Sequence, residues 1–434
     1  MKAQRIEHYD APHQFEPLLP EQRVIEPLLE RASDLTRVAT KLGASAAAPA
    51  QRELRVLLRS MNSYYTNRIE GEHTRPSDID RALQNDFSSN AELARKQRLA
   101  VAHIRTEEGC ERTLDETVQA DEEAGASAAL KSLYGADALV WLHEELFTGL
   151  TEQDLRLSDG SVMIPGVIRE TRVAVGRHEA PLPESLGRFI ERWATVYGGA
   201  RRGEASLVAA AASHHRLAWI HPFPDGNGRV ARLHTHLALH TMGLTHGLWS
   251  PLRGFARTEE RYKALLQAAD EHRHGDLDGR GNLSQAALID WIQYTLDVCI
   301  DQVQFMSHQI DMAGMRERLE AALAFEEAMR SGVRREALIP LHYLFVTQSE
   351  LGRAEFKTMT GLGDRLATDL VSSLLRCRYL ATDSAYGKVR FAIPRHALRF
   401  LFPALWPEAE QDQALISTEM RHADLEGRRP PRRR

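Results

Sequence analysis

His221-Pro222-Phe223-Pro224-Asp225-Gly226-Asn227-Gly228-Arg229-Val230-Ala231-Arg232 gathers an imidazole, a carboxylate, a glycine-rich turn and two arginines into one short stretch. Each group answers a need of phosphate chemistry. Gly226 and Gly228 permit dihedrals that let successive N–H groups point into one concave anion site. A helix beginning at about Asn227 adds its unpaired N–H groups and positive dipole end to that site. Arg229 and Arg232 are three apart, hence neighbours on one helix face, and guanidinium forks suit phosphate oxygens. Asp225 is a hard oxygen ligand placed where it can hold Mg²⁺ on the same phosphates. His221, with an unperturbed pKa of about 6.5, can take a hydroxyl proton at neutral pH.

The stretch follows an apolar run and precedes an amphipathic one. Residue for residue it resembles the signature of the Fic family, His-x-Phe-x-(Asp/Glu)-Gly-Asn-Gly-Arg-x-x-Arg, with every fixed position filled. The resemblance implies a mainly α fold: a Fic-type helical core carrying a β-hairpin flap. It implies protein adenylyltransfer, with ATP and Mg²⁺ bound at Asp225 and the Gly226–Arg229 turn. His221 is then the base for a Ser, Thr or Tyr hydroxyl of a target protein or of the chain itself. Asn227 and Gly228 would stabilise the α-phosphate charge, Arg229 and Arg232 would neutralise the outer phosphates, and Phe223 would anchor the loop in the core. Gly228 argues against the phosphorylating Doc branch, which carries lysine at that place.

Working upstream, the pattern from Arg52 is strongly helical, with Leu54, Leu57, Leu58, Met61, Tyr64 or Tyr65, and Ile69 on one face and Gly71 as a C-terminal glycine. The end of this helix, Thr66-Asn67-Arg68-Ile69-Glu70-Gly71, resembles the inhibitory motif of Fic proteins, (Ser/Thr)-x-x-x-Glu-(Gly/Asn). By that resemblance Glu70 pairs with Arg232 and occupies the fork that otherwise grips the outer phosphate of ATP. The region 1–115 is expected to be helical, with the inhibitory helix at about 52–71. Before it, Pro12, Pro17 and Pro20 suggest a peripheral, extended arm; Pro27 interrupts, a helix follows over 28–42, and 43–50 connects.

The catalytic domain is expected over 116–330. Helices are read at 76–90, at 91–122 (more polar) and at 136–147, with a soft connection at 125–132. Asp115, Glu116, Asp121, Glu122 and Glu123 read as a solvated face. The β-branched runs of 161–177, broken by Pro165-Gly166 and Gly176, predict a hairpin; by resemblance this is the flap whose edge holds the target by strand addition. Pro183 starts a further helix, and Glu204 to Trp219 is a buried helix leading into His221. His214, His215, His221, His234, His236 and His240 crowd this region. His236 and His240 stand at i,i+4, a spacing metals use, but no matching carboxylate or cysteine motif accompanies them, and they read as surface or core histidines. Within Arg257–Leu266, Tyr262 is the candidate for the adenine pocket.

From about 337 to 408 three short helices and two strands form a helix-turn-helix with a hairpin, the winged-helix pattern. Its candidate recognition helix offers Arg365 and Arg376 beside Asp364 and Asp369, so a protein contact or homodimer role is preferred over DNA. The tail, 409–434, with Arg428–Arg434 at its end, is expected to be partly disordered and basic.

Bulk properties read as those of a soluble globular protein. The 434 residues are 43% hydrophobic and 26% charged, with a net charge of −5 that gives no reason to expect nucleic acid or an anionic membrane. Three separated cysteines, the absence of an apolar leader and of any long apolar run point to the cytoplasm. Two alternatives remain open from sequence: removal of AMP with the same pocket, Glu70 orienting a water, and a winged-helix DNA-binding regulator with a secondary Fic core.

Overall fold

A computed structural model describes residues 8–44, 48–121, 124–199, 201, 203–310, 314–347, 349–403 and 405, of 48–53 and 395 the backbone only. The expected basic tail, 409–434, lies outside the described residues, as do Glu122 and Glu123. The chain is mainly helical. In order come α1 (Glu26–Ala44), α2 (Ala48–Ile69), α3 (Pro76–Leu83), α4 (Ala91–Ala120), α5 (Gly125–Ser132) and α6 (Ala136–Phe147). A hairpin of β1 (Ala174–Val175) and β2 (His178–Glu179) precedes α7 (Leu186–Tyr197), α8 (Glu204–Ile220) and α9 (Asn227–Thr241). Then follow α10 (Leu252–Arg257), α11 (Glu259–Ala269), α12 (Gln285–Gln309) and α13 (Met315–Ala328). The last part holds α14 (Leu338–Thr347), β3 (Glu350–Leu351), α15 (Arg353–Thr360), α16 (Asp364–Arg376), β4 (Leu380–Ala381), β5 (Val389–Phe391) and α17 (Leu398–Leu401). None of these helices is long and apolar enough to cross a membrane.

Two compact units divide the chain: Met1–Ser45 with Leu58–Thr74 and Asn85–Met306, and Ala46–Leu57 with Arg75–Gln84 and Ser307–Arg434. In the first, α8 and α9 pack on each other, with α1 and α7 against α8 and α4, α5 and α6 against α9. Helix α8 is buried nearly all round, its run of alanines leaving room for neighbours on several sides, the pattern of a core helix. Trp219 on this helix is fully buried, as are Trp193, Trp249 and Trp291 elsewhere in the unit. Two of these indoles donate to carbonyls of α8, Trp193 to Ser213 and Trp291 to Ala211 at 3.2 and 2.7 Å, so neither buried N–H is left unmet.

Several expectations change here. The N-terminal arm is not peripheral. Phe15 is buried against Phe189 and Trp219, at ring separations of 5.2 and 5.5 Å. Arg216, fully buried on α8, donates through Nε and Nη2 to the Pro17 carbonyl at 3.1 and 2.7 Å. A buried guanidinium must find acceptors, and the arm supplies them. Pro27 does not interrupt α1 but lies in its first turn, where the missing N–H has no intrahelical partner to lose. The soft connection at 125–132 is a helix, α5, whose Gly125 admits the Val118 carbonyl; a Cβ there would sit 2.4 Å from that oxygen. The helix expected to run to residue 90 ends at Leu83, and Asn90 caps α4 by accepting from the Leu93 N–H at 3.0 Å. The hairpin is shorter than expected and lies later. Residues 163–173 form no strand, and the turn falls at Gly176, with φ of 61° between Val175 and His178.

In the second unit, α14, α15 and α16 accompany an antiparallel sheet of order β3-β5-β4. β3 adds a strand to the two expected; two residues are too few to show an alternating pattern. Helix α15 ends at Gly361, which takes the left-handed region with φ of 69°.

Candidate functional site

The motif is built by two helices meeting at a loop. His221 terminates α8 in the left-handed conformation, with φ of 51°. Its Nδ1 lies 3.4 Å from the Ala218 carbonyl. A carbonyl only accepts, so Nδ1 carries the proton and Nε2 keeps a lone pair. Burial pushes the imidazole down to about 4, which leaves it neutral at physiological pH.

Gly226, with φ of 79°, then turns the chain into α9, and its missing side chain makes room for the Phe147 ring; a Cβ would meet Phe147 Cζ at 2.4 Å. The Asn227 side chain is spent on the loop itself: Oδ1 accepts from the Phe223 N–H at 2.9 Å, and Nδ2 donates to the Phe223 carbonyl at 2.8 Å. What Asn227 can offer an anion is therefore its backbone at the start of α9. Phe223 is fully buried, as expected of the loop's anchor.

Arg229 is nearly buried. One nitrogen, Nη2, lies 3.3 Å from Asp225 Oδ2, and its guanidinium sits 4.8 Å from the centre of the Phe147 ring. Its Nε and Nη1 are buried with no hydrogen-bond partner. Unmet guanidinium donors are costly, and they face the need that an anion would fill. The Asp225 carboxylate is more than half exposed.

Arg232, 1% exposed, meets the end of α2. Its Nε donates to Thr66 Oγ1 at 2.8 Å, and its Nη2 donates to the Thr66 carbonyl at 3.2 Å and to Glu70 Oε1. Burial pushes the Glu70 carboxyl up, but Arg232 and Arg229 outweigh it and hold it below its ordinary value. Gly228 is what lets the carboxylate approach. A Cβ at that position would lie 2.4 Å from Glu70 Oε1.

Tyr262 is 3% exposed and packs with Phe255 and Trp291, at ring separations of 5.0 and 5.7 Å. Thr235 donates its hydroxyl proton to the Ala231 carbonyl, so its oxygen accepts from His214 Nδ1 at 2.8 Å. His214 Nε2 then accepts from the Tyr262 hydroxyl at 2.9 Å. The Tyr262 oxygen is also a partner of Arg232. What Tyr262 gives the site is thus an oxygen beside Arg232, its ring lying in the core.

Two residues absent from the sequence reading hold this loop in place. His143 Nδ1 accepts the Gly166 N–H at 2.8 Å, which leaves Nε2 protonated to donate to the Asp225 carbonyl at 3.1 Å. Its ring lies 4.0 Å from that of Phe223 at an interplanar angle of 18°. Burial pushes its pKa down to about 4. Arg169 donates through Nε to the His221 carbonyl at 2.7 Å and through Nη1 and Nη2 to the Thr171 and Pro181 carbonyls at 2.8 and 2.7 Å. Its backbone N–H reaches the Pro222 carbonyl at 3.0 Å. The signal for His143 was present: it sits on the same face of α6 as Leu139, Leu142, Leu146 and Phe147. Arg169 stands among β-branched residues, where only folding shows which carbonyls need a donor.

A family profile described as Fic/DOC family matches residues 134–239. The chain carries a Fic domain. Among curated proteins, the chain is 29% identical over 157 residues to the protein adenylyltransferase Fic of Culex quinquefasciatus, covering 35% of this chain and 28% of that protein. It is 33% identical over 114 residues to the protein adenylyltransferase Fic of Nematostella vectensis, covering 26% of this chain and 25% of that one. The chain thus spans 28% of the length of the first of these relatives and 25% of the second. Among solved structures, a Fic family protein from Desulfovibrio desulfuricans G20 aligns with a TM-score of 0.48 and 18% identity, covering 88% of this chain and 98% of that one. Fic-1 from C. elegans aligns with a TM-score of 0.44 and 18% identity, covering 66% and 72%.

Proposed function

We propose that this protein transfers AMP from ATP to a hydroxyl side chain of a target protein, itself included, and that Glu70 restrains the reaction by occupying Arg232. The observation that carries the reading is the pair of unmet Arg229 donors, Nε and Nη1, buried beside the start of α9 and a neutral His221. Backbone N–H groups, a helix dipole and two arginines suit the oxygens of a polyphosphate. Asp225, exposed and hard, is the residue that would hold Mg²⁺, which when bound neutralises phosphate charge.

His221 Nε2 takes the proton of the target hydroxyl, and that oxygen attacks the α-phosphorus. The bond from the α-phosphorus to the bridging oxygen breaks in line, leaving AMP on the target and pyrophosphate free. N–H groups at the start of α9 meet the charge growing on the α-phosphate, while Arg229 and Arg232 meet the outer phosphates. Because Glu70 already holds Nη2 of Arg232, the outer phosphate must compete with a carboxylate for the same donors.

Incubating the protein with α-labelled ATP and a lysate tests the reading directly; label that fails to enter protein, with or without Glu70, ends it. A second use of the pocket rests on the same carboxylate. Glu70, a third exposed, stands where it can orient a water to release AMP from a modified target. Pre-modified target separates the two directions. The three helices and three-stranded sheet of the second unit support a winged-helix reading. Arg376 is tied to the Ser331 carbonyl at 2.8 Å, so α16 has little cation left for phosphate, which supports protein contact or homodimer formation over DNA. Gel shift at physiological salt and light scattering decide between them.

A further inference from the structure

Away from the motif, α4 and α9 bring imidazoles and carboxylates together in the interior of the first unit. His103, Glu107 and Glu111 occupy successive turns of α4, at i, i+4 and i+8, so they share one face. That face meets His236 and His240, which share a face of α9. His103, Glu107, Glu111 and His236 are each 2% exposed or less. We propose that Glu107, Glu111 and His236, with the unpartnered His103 facing Glu107, form a buried binding site for a divalent cation of the Zn²⁺ class.

The spacing fits such an ion. His236 Nε2 lies 3.0 Å from Glu111 Oε1 and 3.5 Å from Glu107 Oε1, and His103 Nδ1 lies 3.7 Å from Glu107 Oε2. Ligand atoms around a tetrahedral Zn²⁺ held at about 2.0–2.2 Å stand roughly 3.3–3.6 Å apart. One oxygen from each glutamate and a ring nitrogen of His236 all lie within 4.8 Å of one another, the one such group among the described residues; His103 stands outside this group of three and approaches it at Glu107.

His103 is the independent observation. Both of its ring nitrogens are buried without a hydrogen-bond partner, and Nδ1 faces Glu107. An imidazole has one N–H and one lone pair to satisfy, and burying them unmet costs about 1–3 kcal/mol per group. A histidine that only filled space in an α4–α9 interface would be replaced without loss by an apolar residue. A lone pair turned toward a carboxylate is what a cation would use.

The surroundings hold the carboxylates as outer groups hold metal ligands. Asn62 Nδ2 donates to Glu107 Oε1 at 2.8 Å, and Arg59 donates through Nε and Nη2 to Glu111 Oε2 at 3.0 and 2.8 Å. Glu111 thereby gives one oxygen to the arginine and keeps the other toward His236. His240 Nε2 pairs with Asp115 Oδ1 at 2.7 Å on the outer side of the cluster. When the cation takes the lone pair of His236 Nε2, the ring proton sits on Nδ1 and the imidazole stays neutral, while Glu107 and Glu111 supply the negative charge.

The test uses the full chain without an affinity tag, stripped with a chelator and titrated with Zn²⁺ against a fluorescent competitor, and in parallel with Co²⁺ followed by visible absorption. One equivalent of tight Zn²⁺, tetrahedral Co²⁺ bands and a Zn²⁺-dependent rise in Tm are expected in the wild type and in Asp225→Ala. Glu107→Gln and His103→Gln are each expected to weaken Zn²⁺ by about tenfold or more. Absence of a tight equivalent and of Co²⁺ bands in the wild type overturns the site. So does an equivalent that survives in Glu107→Gln and His103→Gln, or one that vanishes in Asp225→Ala and so belongs to the motif loop. Should either α4 variant fail to fold, the wild-type Co²⁺ spectrum and the comparison with Asp225→Ala still decide.

Discussion

Glu70 Oε1 rests on the guanidinium of Arg232, across 162 positions of sequence, and Gly228 is the position that lets it in. The carboxylate reaches the buried arginine from the end of α2, where Thr66 holds Nε of the same group at 2.8 Å. An anion held on a buried cation is hard to remove without a replacement, because the cation left behind is unpaired. The pair is therefore a competitor of any phosphate that needs Arg232.

Removing that competitor is the first prediction. Glu70→Gly is expected to raise self-labelling from α-labelled ATP by about tenfold or more, the worth of roughly 1.4 kcal/mol of competition at one arginine. Labelling equal to wild type, at matched folded fraction, would show that the contact restrains nothing.

His221→Ala removes the proton acceptor and leaves the phosphate groups in place. Nucleotide affinity, measured by calorimetry, is expected to change by less than about threefold while transfer falls by about a hundredfold or more. Transfer that survives assigns the base elsewhere.

The pH profile follows from the buried imidazole. With a pKa pushed down to about 4, His221 keeps its lone pair above that value, so lowering pH from 8 to 5.5 leaves it competent. Transfer per unit of enzyme at low ATP is expected to stay flat over that interval and fall only below about pH 5. A rate that halves near pH 6.5 would mean that the free enzyme exposes this ring.

His143→Phe keeps a ring against Phe223 but deletes both hydrogen bonds that tie Gly166 to the Asp225 carbonyl. Leaving those groups unmet is expected to cost about 1–3 kcal/mol of stability, read by denaturant unfolding. Loss of loop position is expected to lower transfer by about tenfold. An unchanged rate would make His143 a packing residue only.

Local patterns were legible where their physics is local. The phosphate-suited run from His221 to Arg232 is contiguous, and its glycines and N-terminal helix position follow from spacing alone. The Glu70 pairing was legible only through a family resemblance, since nothing in the pattern of α2 points at residue 232. The arm around Phe15 and Pro17 looked peripheral because its prolines are local and its acceptor for Arg216 is not. His236 and His240 displayed a metal-like spacing without carboxylates in sight; Glu111 stands 125 positions away, on a helix that reads as polar and solvated.

By itself, then, the order of residues determined a helical chain with a glycine turn between two helices, an imidazole before that turn and two arginines after it, because hydrogen-bond periodicity and backbone freedom act over a few residues. Only the packing of α8 on α9, and of α4 and α2 against them, decided which nitrogens keep a lone pair, which guanidinium donors stay unmet, and which carboxylates face imidazoles. Those properties depend on burial and on partners brought from distant segments, and water satisfies every one of them until the chain has folded.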